Sequence, residues 1–340
     1  MEYTTLGRSG LIVSRLALGT MLFGEGAARS TPRAEALELL DAYLGAGGNH
    51  VDTADVYADG RSEEIVGEGL ASRRHDVVLA TKVRFRTGGG ANDEGLSRRH
   101  IIAGVEASLR RLRTDYIDLL YVHCYDPLTP LEETIRALDD VVRAGKVRYL
   151  GISNFKAWQL MRAQALADAL GAHRFIAAQY QYSLVEREIE REFVDLCASE
   201  GLGLVPWGPL GGGFLTGKYT RGGAGAGRIA DTPAEAEEYW ERRATERNWA
   251  TVECVREIAD RLDAEPSQVA LAWLLRRPQV DSVILGARTL AQLHDNLAAA
   301  RLAVPADDLA SLTRVSALPE AYPYRMIEVY GGREPGPNAG

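Results

Sequence analysis

Residues 49–57, with the sequence NHVDTADVY, place a run of polar side chains directly behind a short apolar segment. His50-Val51 predicts a buried strand, and Asp52, Asp55 and Tyr57 follow at the point where it ends. Seven further short apolar runs alternate along the chain with longer segments of helical period. The eight candidate strands are Leu16–Leu18, His50–Val51, Val77–Ala80, Tyr116–Val122, Val147–Ile152, Phe175–Ala178, Leu202–Val205 and Val280–Leu285.

The segments between these strands carry the signals of helix starts. Thr31-Pro32 and Thr129-Pro130 each offer a capping hydroxyl followed by a proline at the first helical position, and Glu132 completes a capping box with Thr129. Ser97 precedes a third segment with apolar residues at helical spacing. Buried strands joined through helices imply parallel β/α units, and eight such units close a (β/α)8 barrel. An open, doubly wound sheet is the alternative fold.

Composition and charge exclude several classes of protein. The 340 residues carry a formal net charge of −8, which argues against nucleic acid as a partner. No apolar stretch approaches the roughly 18 residues of a membrane span, so we expect no membrane partner. Three cysteines without a C-x-x-C pair, and an N-terminus without the apolar core of a secretory signal, predict a protein of the reducing cytoplasm.

We predict a single barrel domain over residues 1–330. Residues 221–228, with the sequence RGGAGAGR, are too rich in glycine for a helix or strand and predict a mobile loop after the seventh strand. Residues 331–340 are rich in Gly and Pro and predict a disordered tail. No helix carries a second apolar stripe, so the sequence does not indicate an oligomeric state.

Polar side chains end most of the candidate strands, and in a β/α barrel the chemistry lies at those carboxyl ends. Taken singly, each has a structural explanation, since an acid such as Asp52 caps helices, Lys82 suits a solvated rim and His123 suits a structural hydrogen bond. Taken together, Asp52, Tyr57, Lys82 and His123 come from three successive strands and converge on one rim. An unpaired buried Lys or Asp there would be costly, which favours a functional cluster.

Four motifs in this order resemble the aldo-keto reductase superfamily. They are NHVDTADVY at residues 49–57, ATK at 80–82, DLLYVH at 118–123 and GISNF at 151–155. The resemblance covers nearly the whole chain, from Leu6 to about Leu312. It implies a (β/α)8 TIM barrel with an N-terminal β-hairpin closing its bottom and with C-terminal helices. It also implies reduction of a small aldehyde or ketone substrate with NADPH, by a catalytic tetrad of Asp52, Tyr57, Lys82 and His123.

Those four residue types suit a hydride transfer to a carbonyl. The developing alkoxide needs a proton donor within hydrogen-bond reach, and Tyr57 is the candidate. A free phenol is too weak an acid at neutral pH, so we expect the charge of Lys82 to lower the pKa of Tyr57. Asp52 would keep Lys82 charged by pairing with it. His123 would orient the carbonyl through a ring N–H and, when charged, assist proton donation.

The sequence also restricts the type of cofactor site. A Rossmann fingerprint is absent, and residues 212–219, GGFLTGKY, match G-x-x-x-x-G-K but have Tyr219 where a Walker loop needs Ser or Thr. The same stretch resembles the family's loop after the seventh strand, where backbone amides and Lys218 would meet the cofactor pyrophosphate. Arg288 would bind a 2′-phosphate, so NADP(H) is preferred over NAD(H). Trp207 would stack on the nicotinamide, although core packing is an equally good explanation for a large aromatic.

The resemblance implies a wider set of cofactor contacts and no metal. These contacts are Gly19, Thr20, Ser153, Asn154, Gln179, Trp207, Pro209, Leu210, Gly212, Lys218, Gly286, Arg288, Gln292 and Asn296.

Other functions stay open at this stage. One is a Schiff-base lyase with Lys82 as nucleophile, which the company of Asp52, Tyr57 and His123 disfavours. Another is a cofactor-binding regulatory subunit without turnover, because some relatives are channel β-subunits. Residues 92–100, NDEGLSRRH, look like bacterial members, some of which reduce keto sugars or secondary-metabolite ketones. Candidate aromatic and charged residues at the pocket mouth are Phe23, Arg84, Phe85, Tyr125, Tyr322, Tyr324 and Tyr330.

Overall fold

The computed structural model describes residues 1–25, 29–223, 227–232 and 237–332. Ten strands lie in this part of the chain, and all eight predicted strands are among them. They are β1 (Tyr3–Thr5), β2 (Ile12–Ser14), β3 (Leu16–Gly19), β4 (His50–Asp52), β5 (Val78–Val83), β6 (Ile117–Val122), β7 (Val147–Ser153), β8 (Phe175–Gln179), β9 (Gly203–Leu204) and β10 (Val283–Leu285).

Strands β3 to β10 form one parallel sheet in the order β10-β3-β4-β5-β6-β7-β8-β9. The two edges of this sheet meet, because Leu204 and Val280 form a parallel bridge. The amide of Ile284 extends the contact by donating to the Pro206 carbonyl at 2.9 Å. The predicted (β/α)8 barrel is therefore confirmed, and the open doubly wound sheet is excluded.

The N-terminal hairpin closes the bottom of the barrel. Strands β1 and β2 pair antiparallel, and Leu6 in the turn between them is fully buried. Its side chain joins the apolar cluster inside the barrel. The next residue, Gly7, donates its amide to Asp281 Oδ2 at 2.7 Å. Gly7 has a φ of +54°, and a Cβ there would lie 2.5 Å from the Ile176 carbonyl oxygen, so only glycine fits this approach.

The helices follow the strands in alternation and cover the outside of the barrel, and three more close the chain behind the last strand. They are α1 (Arg33–Gly45), α2 (Arg61–Gly69), α3 (Arg98–Leu112), α4 (Leu131–Arg143), α5 (Ala157–Leu170), α6 (Phe193–Glu200), α7 (Trp240–Arg243), α8 (Glu246–Leu262), α9 (Pro266–Leu275), α10 (Leu290–Ala298), α11 (Ala306–Val315) and α12 (Tyr324–Tyr330).

The helix starts are confirmed in place, but two of their caps differ from the prediction. Ser97 caps α3 by accepting from the His100 amide at 3.3 Å. At α1 and α4 the proline itself occupies the cap position, so the preceding threonine lies one residue too far out to cap. The hydroxyl of Thr129 donates instead to Asp126 Oδ2 at 2.6 Å, and the predicted capping box with Glu132 is wrong.

Two predicted flexible segments fall partly outside the described residues. In the glycine-rich segment 221–228, residues 224–226 are not described, while Arg221 forms an ion pair with Glu246. Of the predicted tail, residues 333–340 are not described. Within the four ranges that the structure describes, no helix is long and apolar enough to span a bilayer.

Candidate active site

Three successive strands bring the predicted tetrad to the top of the barrel. Lys82 lies in β5 and is fully buried. Its Nζ donates to Asp52 Oδ1 of β4 at 2.5 Å and to Tyr57 Oη, in the turn after β4, at 3.1 Å. The Thr53 carbonyl accepts a third hydrogen bond at 2.8 Å. The other oxygen of Asp52 accepts from Gln179 Nε2 at 2.8 Å, so the carboxylate is held at both ends.

His123 completes the cluster at the end of β6. Its ring stands edge-on to Tyr57, with ring centroids 6.0 Å apart, and to Phe85, with centroids 4.6 Å apart. Nδ1 of His123 is buried and has no hydrogen-bond partner among the described residues. The Asn154 side chain donates to the His123 carbonyl at 2.8 Å and so links the ends of β6 and β7. The four residues of the predicted tetrad therefore lie together.

Burial decides the direction of the pKa shift of Tyr57, whereas the neighbouring charges decide that of Lys82. Burial raises the pKa of Tyr57, and the charge of Lys82 opposes this shift without reversing it. The net direction is thus the opposite of the expected lowering, because the phenolate loses its hydration inside the barrel. Burial alone would lower the pKa of Lys82, but Asp52 and Tyr57 raise it overall, which keeps the ammonium charged.

His123 differs from expectation in its charge. Burial, and then the charges of Lys82 and Arg84, hold the pKa of His123 well below its ordinary value. The imidazole is therefore neutral at neutral pH, so the assistance to proton donation that was expected of the charged form is not supported. A neutral imidazole still has one ring N–H to donate.

The turn that carries Tyr57 has a rare backbone conformation. Ala58, Asp59 and Gly60 all have positive φ, at +48°, +53° and +89°. For Ala58 and Asp59 this left-handed region is strained. The turn ends where α2 begins, and a Cβ on Gly60 would lie 2.7 Å from Arg111 Cδ, so α3 packs closely against it. Such strain concentrates at functional sites, and here it sits beside the candidate proton donor.

A cavity of about 530 Å³ extends from the tetrad across the top of the barrel. It opens at the carboxyl ends of the strands, where β/α barrels carry their chemistry. Three tetrad residues and twelve of the fourteen predicted cofactor contacts line it. They are Asp52, Tyr57 and His123, with Gly19, Asn154, Gln179, Trp207, Pro209, Leu210, Gly212, Lys218, Gly286, Arg288, Gln292 and Asn296.

The remaining three predicted site residues lie behind the cavity wall. Lys82 lies beneath Tyr57 and Asp52 and donates a hydrogen bond to each. This position suits a charge that acts on the cavity through these two residues. Thr20 shares a hydrogen bond of 2.8 Å with Ser62 and donates to the Asp52 carbonyl at 3.1 Å. Ser153 donates to the Gln179 carbonyl at 2.7 Å. The hydroxyls of Thr20 and Ser153 thus brace neighbouring strand ends, and their cofactor contacts stay a prediction.

The residues at the far end of the cavity fit a nucleotide with its phosphates. Gly211, Gly212 and Gly213 all have positive φ, which leaves a backbone surface free of side chains next to Lys218. Arg288 adds a further cation at the cavity wall, and its backbone amide donates to Gln292 Oε1 at 3.0 Å. Open backbone and these cations in an acidic chain form a suitable cradle for an anionic cofactor.

Several lining residues were not predicted from the sequence. Near the tetrad these are Met21 and Val56, and near Arg288 they are Ser267 and Asp295. The sequence could have indicated Val56, since it lies between Asp55 and Tyr57. Nothing in the sequence indicates Ser267, because it comes from the first turn of α9, which reaches the cavity only in the folded barrel.

Of the residues considered for the pocket mouth, Phe85 lines the cavity. Phe23 is buried in the core, and Tyr125 packs edge-on against Phe155 with ring centroids 5.2 Å apart. Tyr324 donates to Glu192 on the surface at 3.0 Å. Arg84 lies over the Phe85 ring, and Tyr322 and Tyr330 are exposed, so these three residues are not lining residues either.

Comparisons with known proteins agree with this geometry. A model of the Aldo/keto reductase family matches residues 15–317. A probable voltage-gated potassium channel subunit beta of Oryza sativa subsp. japonica is 41% identical over 88% of this chain and 91% of its own. An uncharacterized oxidoreductase of Bacillus subtilis, YrpG, is 38% identical over 95% of this chain and 99% of its own. The versiconal hemiacetal acetate reductase of Aspergillus parasiticus is 36% identical over 91% and 95%. The chain belongs to the aldo/keto reductase family.

Proposed function

We propose that this protein reduces an aldehyde or ketone to an alcohol with NADPH, and that Tyr57 donates the proton. The family makes the protein an oxidoreductase that acts on carbonyl or CH–OH groups. One structural observation supports NADPH as the cofactor and Tyr57 as the proton donor. The Tyr57 hydroxyl is bonded to the buried Lys82 and faces a cavity that continues to Lys218 and Arg288.

The chain's own residues supply the proton and hold the substrate. NADPH, when bound, supplies the hydride. Because burial raises the pKa of Tyr57, its hydroxyl keeps its proton until a developing alkoxide takes it. Lys82 then stabilises the phenolate that remains, and Asp52 keeps Lys82 charged. The neutral His123 orients the carbonyl oxygen by donating its ring N–H.

The preference for NADPH over NADH rests on Arg288. Its guanidinium is always charged and can bind a phosphate through two parallel hydrogen bonds. We expect Arg288→Ala to weaken NADPH binding by about tenfold or more and to leave NADH binding nearly unchanged. Fluorescence titration with each cofactor measures both affinities.

The main test is NADPH oxidation against a panel of aromatic aldehydes, short aldoses, dicarbonyls, keto sugars and aromatic ketones. We expect Tyr57→Phe to lower kcat by about a hundredfold or more, because it removes the proton donor, while NADPH affinity stays unchanged. The matched control is Tyr330→Phe, which removes the hydroxyl of a tyrosine that is 70% exposed. Normal turnover by Tyr57→Phe would contradict the proposal.

The wall around Tyr57 favours an apolar substrate within this class. Five apolar side chains line the cavity, and one of them, Phe85, packs against His123; they are Met21, Leu22, Val56, Phe85 and Trp207. Such side chains suit an aromatic ketone better than a sugar. Two fungal relatives are named versiconal hemiacetal acetate reductase and norsolorinic acid reductase, and neither name is that of a sugar reductase. We therefore place secondary-metabolite ketones ahead of keto sugars, and the ratio of kcat/KM between the two groups tests this order.

A second candidate function is that of a cofactor-binding regulatory subunit. Relatives from rice and from Arabidopsis thaliana are named probable voltage-gated potassium channel subunits beta, at 41% and 39% identity. NADPH binding without turnover of any carbonyl in the panel would favour this function. Turnover that depends on Tyr57 would favour the reductase.

A further inference from the structure

A second acid, Asp55, lies two residues before Tyr57 and has no role in the mechanism above. It is only 2% exposed. Both of its carboxylate oxygens are buried, and no side chain among the described residues forms a hydrogen bond with either of them. The other two buried acids of this region are fully engaged. Asp52 contacts Lys82 and Gln179, and Glu63 accepts from Thr81 and Arg111.

The charges that face Asp55 come from three elements. Glu63 lies on α2, Arg111 on α3 and Lys82 on β5, while Asp52 and Tyr57 flank it on its own segment. Arg111 is already paired with Glu63 at 2.6 Å, and Lys82 is paired with Asp52. Both cations therefore have another acid as their direct partner. A buried carboxylate without a partner of its own is costly, and a proton removes that cost.

We propose that Asp55 is a positioning residue that works in its protonated, neutral form, and that loss of this proton to solvent weakens Tyr57 as an acid. The proposal rests on the proposed function for its catalytic part. While Asp55 is neutral, Lys82 is the dominant charge acting on the Tyr57 hydroxyl. Once ionised, Asp55 places a negative charge beside Tyr57 and opposes formation of the phenolate.

The electrostatics of the site agree with this assignment. Burial, and then the negative charge of Glu63, raise the pKa of Asp55 to about 8, while Arg111, the Val56 amide and Lys82 oppose the shift. The charge of Asp55 in turn raises the pKa of Tyr57. The pKa of Tyr57 and that of Lys82 lie above their usual values, and that of His123 lies well below. Among these groups only Asp55 changes charge in mildly alkaline solution.

The experiment is the pH dependence of kcat from about pH 6 to about pH 10 for the native enzyme and for Asp55→Asn and Asp55→Leu. Asparagine keeps the shape of the side chain, and leucine removes its polarity, so one variant suffices if the other folds poorly. We expect native kcat to fall about tenfold between about pH 7 and about pH 9, and both variants to stay flat over this interval. A fall that persists in the variants would overturn the proposal.

Two controls separate Asp55 from its neighbours. Asp59→Asn makes the same chemical change on an exposed acid of the same turn, at a left-handed position that asparagine tolerates. Cys124→Ser removes the free thiol that follows His123 in the chain. We expect both controls to keep the native alkaline fall. Loss of the fall in Cys124→Ser would assign it to the thiol and would overturn the proposal.

A third measurement does not depend on turnover. A protonated Asp55 predicts a carboxylic acid band in the infrared spectrum at neutral pH that disappears above about pH 8 and is absent from Asp55→Asn. It also predicts that native stability relative to Asp55→Leu is lost as pH rises from about 4 to about 8, since the folded pKa is raised. Absence of the band at neutral pH would overturn the protonated assignment whether or not the protein is a reductase. Presence of the band in a protein without turnover would instead count against the proposed function alone.

Discussion

Lys82 is the residue on which the whole cluster depends. It is fully buried and donates to Asp52, to Tyr57 and to the Thr53 carbonyl. A buried ammonium with three hydrogen-bond acceptors is well satisfied. Each of these acceptors, however, loses its hydrogen bond if the lysine is removed. Removing one partner of a buried ion pair leaves the other as an uncompensated charge, and this is more costly than the pair itself is beneficial.

Lys82→Met should therefore damage both activity and stability. We expect kcat to fall by about a hundredfold or more, because the phenolate of Tyr57 loses its stabilising charge. The free energy of unfolding should fall by about 3–5 kcal/mol, because Asp52 stays buried without its cation. Urea unfolding measures the second effect. Lys146→Met is the control, since Lys146 is partly exposed in its pair with Glu106 and should cost at most about 1 kcal/mol.

The double variant Asp52→Asn/Lys82→Met tests the explanation. If the cost of Lys82→Met comes from a stranded Asp52 charge, the second substitution should restore part of the lost stability. Further destabilisation by the full cost of Asp52→Asn would contradict it.

At the scale of single residues, it was predictable that Asp52, Tyr57, Lys82 and His123 lie together, and the direction of the pKa shift of Tyr57 was not. These four residues lie at or just after the ends of three successive strands. Their residue types and their order along the chain were therefore enough to predict that they lie together. The direction of the pKa shift of Tyr57 depends on how much water the fold removes from it. The loss of hydration depends on residues from distant parts of the chain, so it could not be predicted from the local sequence of residues 49–57.

Among the elements, we expect the loop at residues 208–218 to matter most for the proposed cofactor. Gly211, Gly212 and Gly213 have φ values of +56°, +68° and +88°, which residues with a Cβ adopt only with strain. A Cβ on Gly213 would lie 2.9 Å from Lys218 Nζ. The conformation of the loop and the place of its lysine therefore depend on the same glycine.

Gly213→Ala should weaken NADPH binding by about tenfold, because it strains the backbone and displaces Lys218. We expect kcat at saturating NADPH to change little, since Tyr57 is untouched. Fluorescence titration measures the affinity. Gly222→Ala is the control, because the nearest atom to its Cβ, Thr220 Oγ1, is 3.9 Å away. Equal effects of the two substitutions would show that Gly213 has no special part in binding.

Strands were easier to predict than helix caps, for a physical reason. A strand buried on both faces gives a continuous apolar run, and β4, β6, β7 and β8 all lie within one residue of their predicted ends, while β5 continues three residues beyond its predicted end at Ala80. An N-terminal cap depends on the exact residue at which the chain enters the helix. At α4 the cap position is Pro130 rather than Thr129, and a shift of one residue is enough to redirect the hydroxyl to Asp126.

For the whole molecule, the hairpin contributes to stability by filling the barrel from below. Leu6 is fully buried in the inner apolar cluster, whereas Ile12 on the same hairpin is 56% exposed. We expect Leu6→Ala to lower the free energy of unfolding by about 2–5 kcal/mol, the usual cost of a cavity in a packed core. Ile12→Ala should change it by about 0.5 kcal/mol or less. Similar losses for both variants in urea unfolding would mean that the hairpin contributes as a surface element only.

Closure of the ring has a consequence for the order of biosynthesis. Arg15, just before β3, bonds to the carbonyl of Val280, 265 residues further along. During synthesis on the ribosome, β3 is the first strand of the barrel to emerge. Its neighbour β10 is the last strand to emerge. One edge of β3 therefore waits unpaired through most of translation, and an unpaired edge is a template for the wrong partner. Long-range pairing of this kind also makes folding slow. A nascent chain that stops before residue 283 would hold all four tetrad residues and still lack the closed ring.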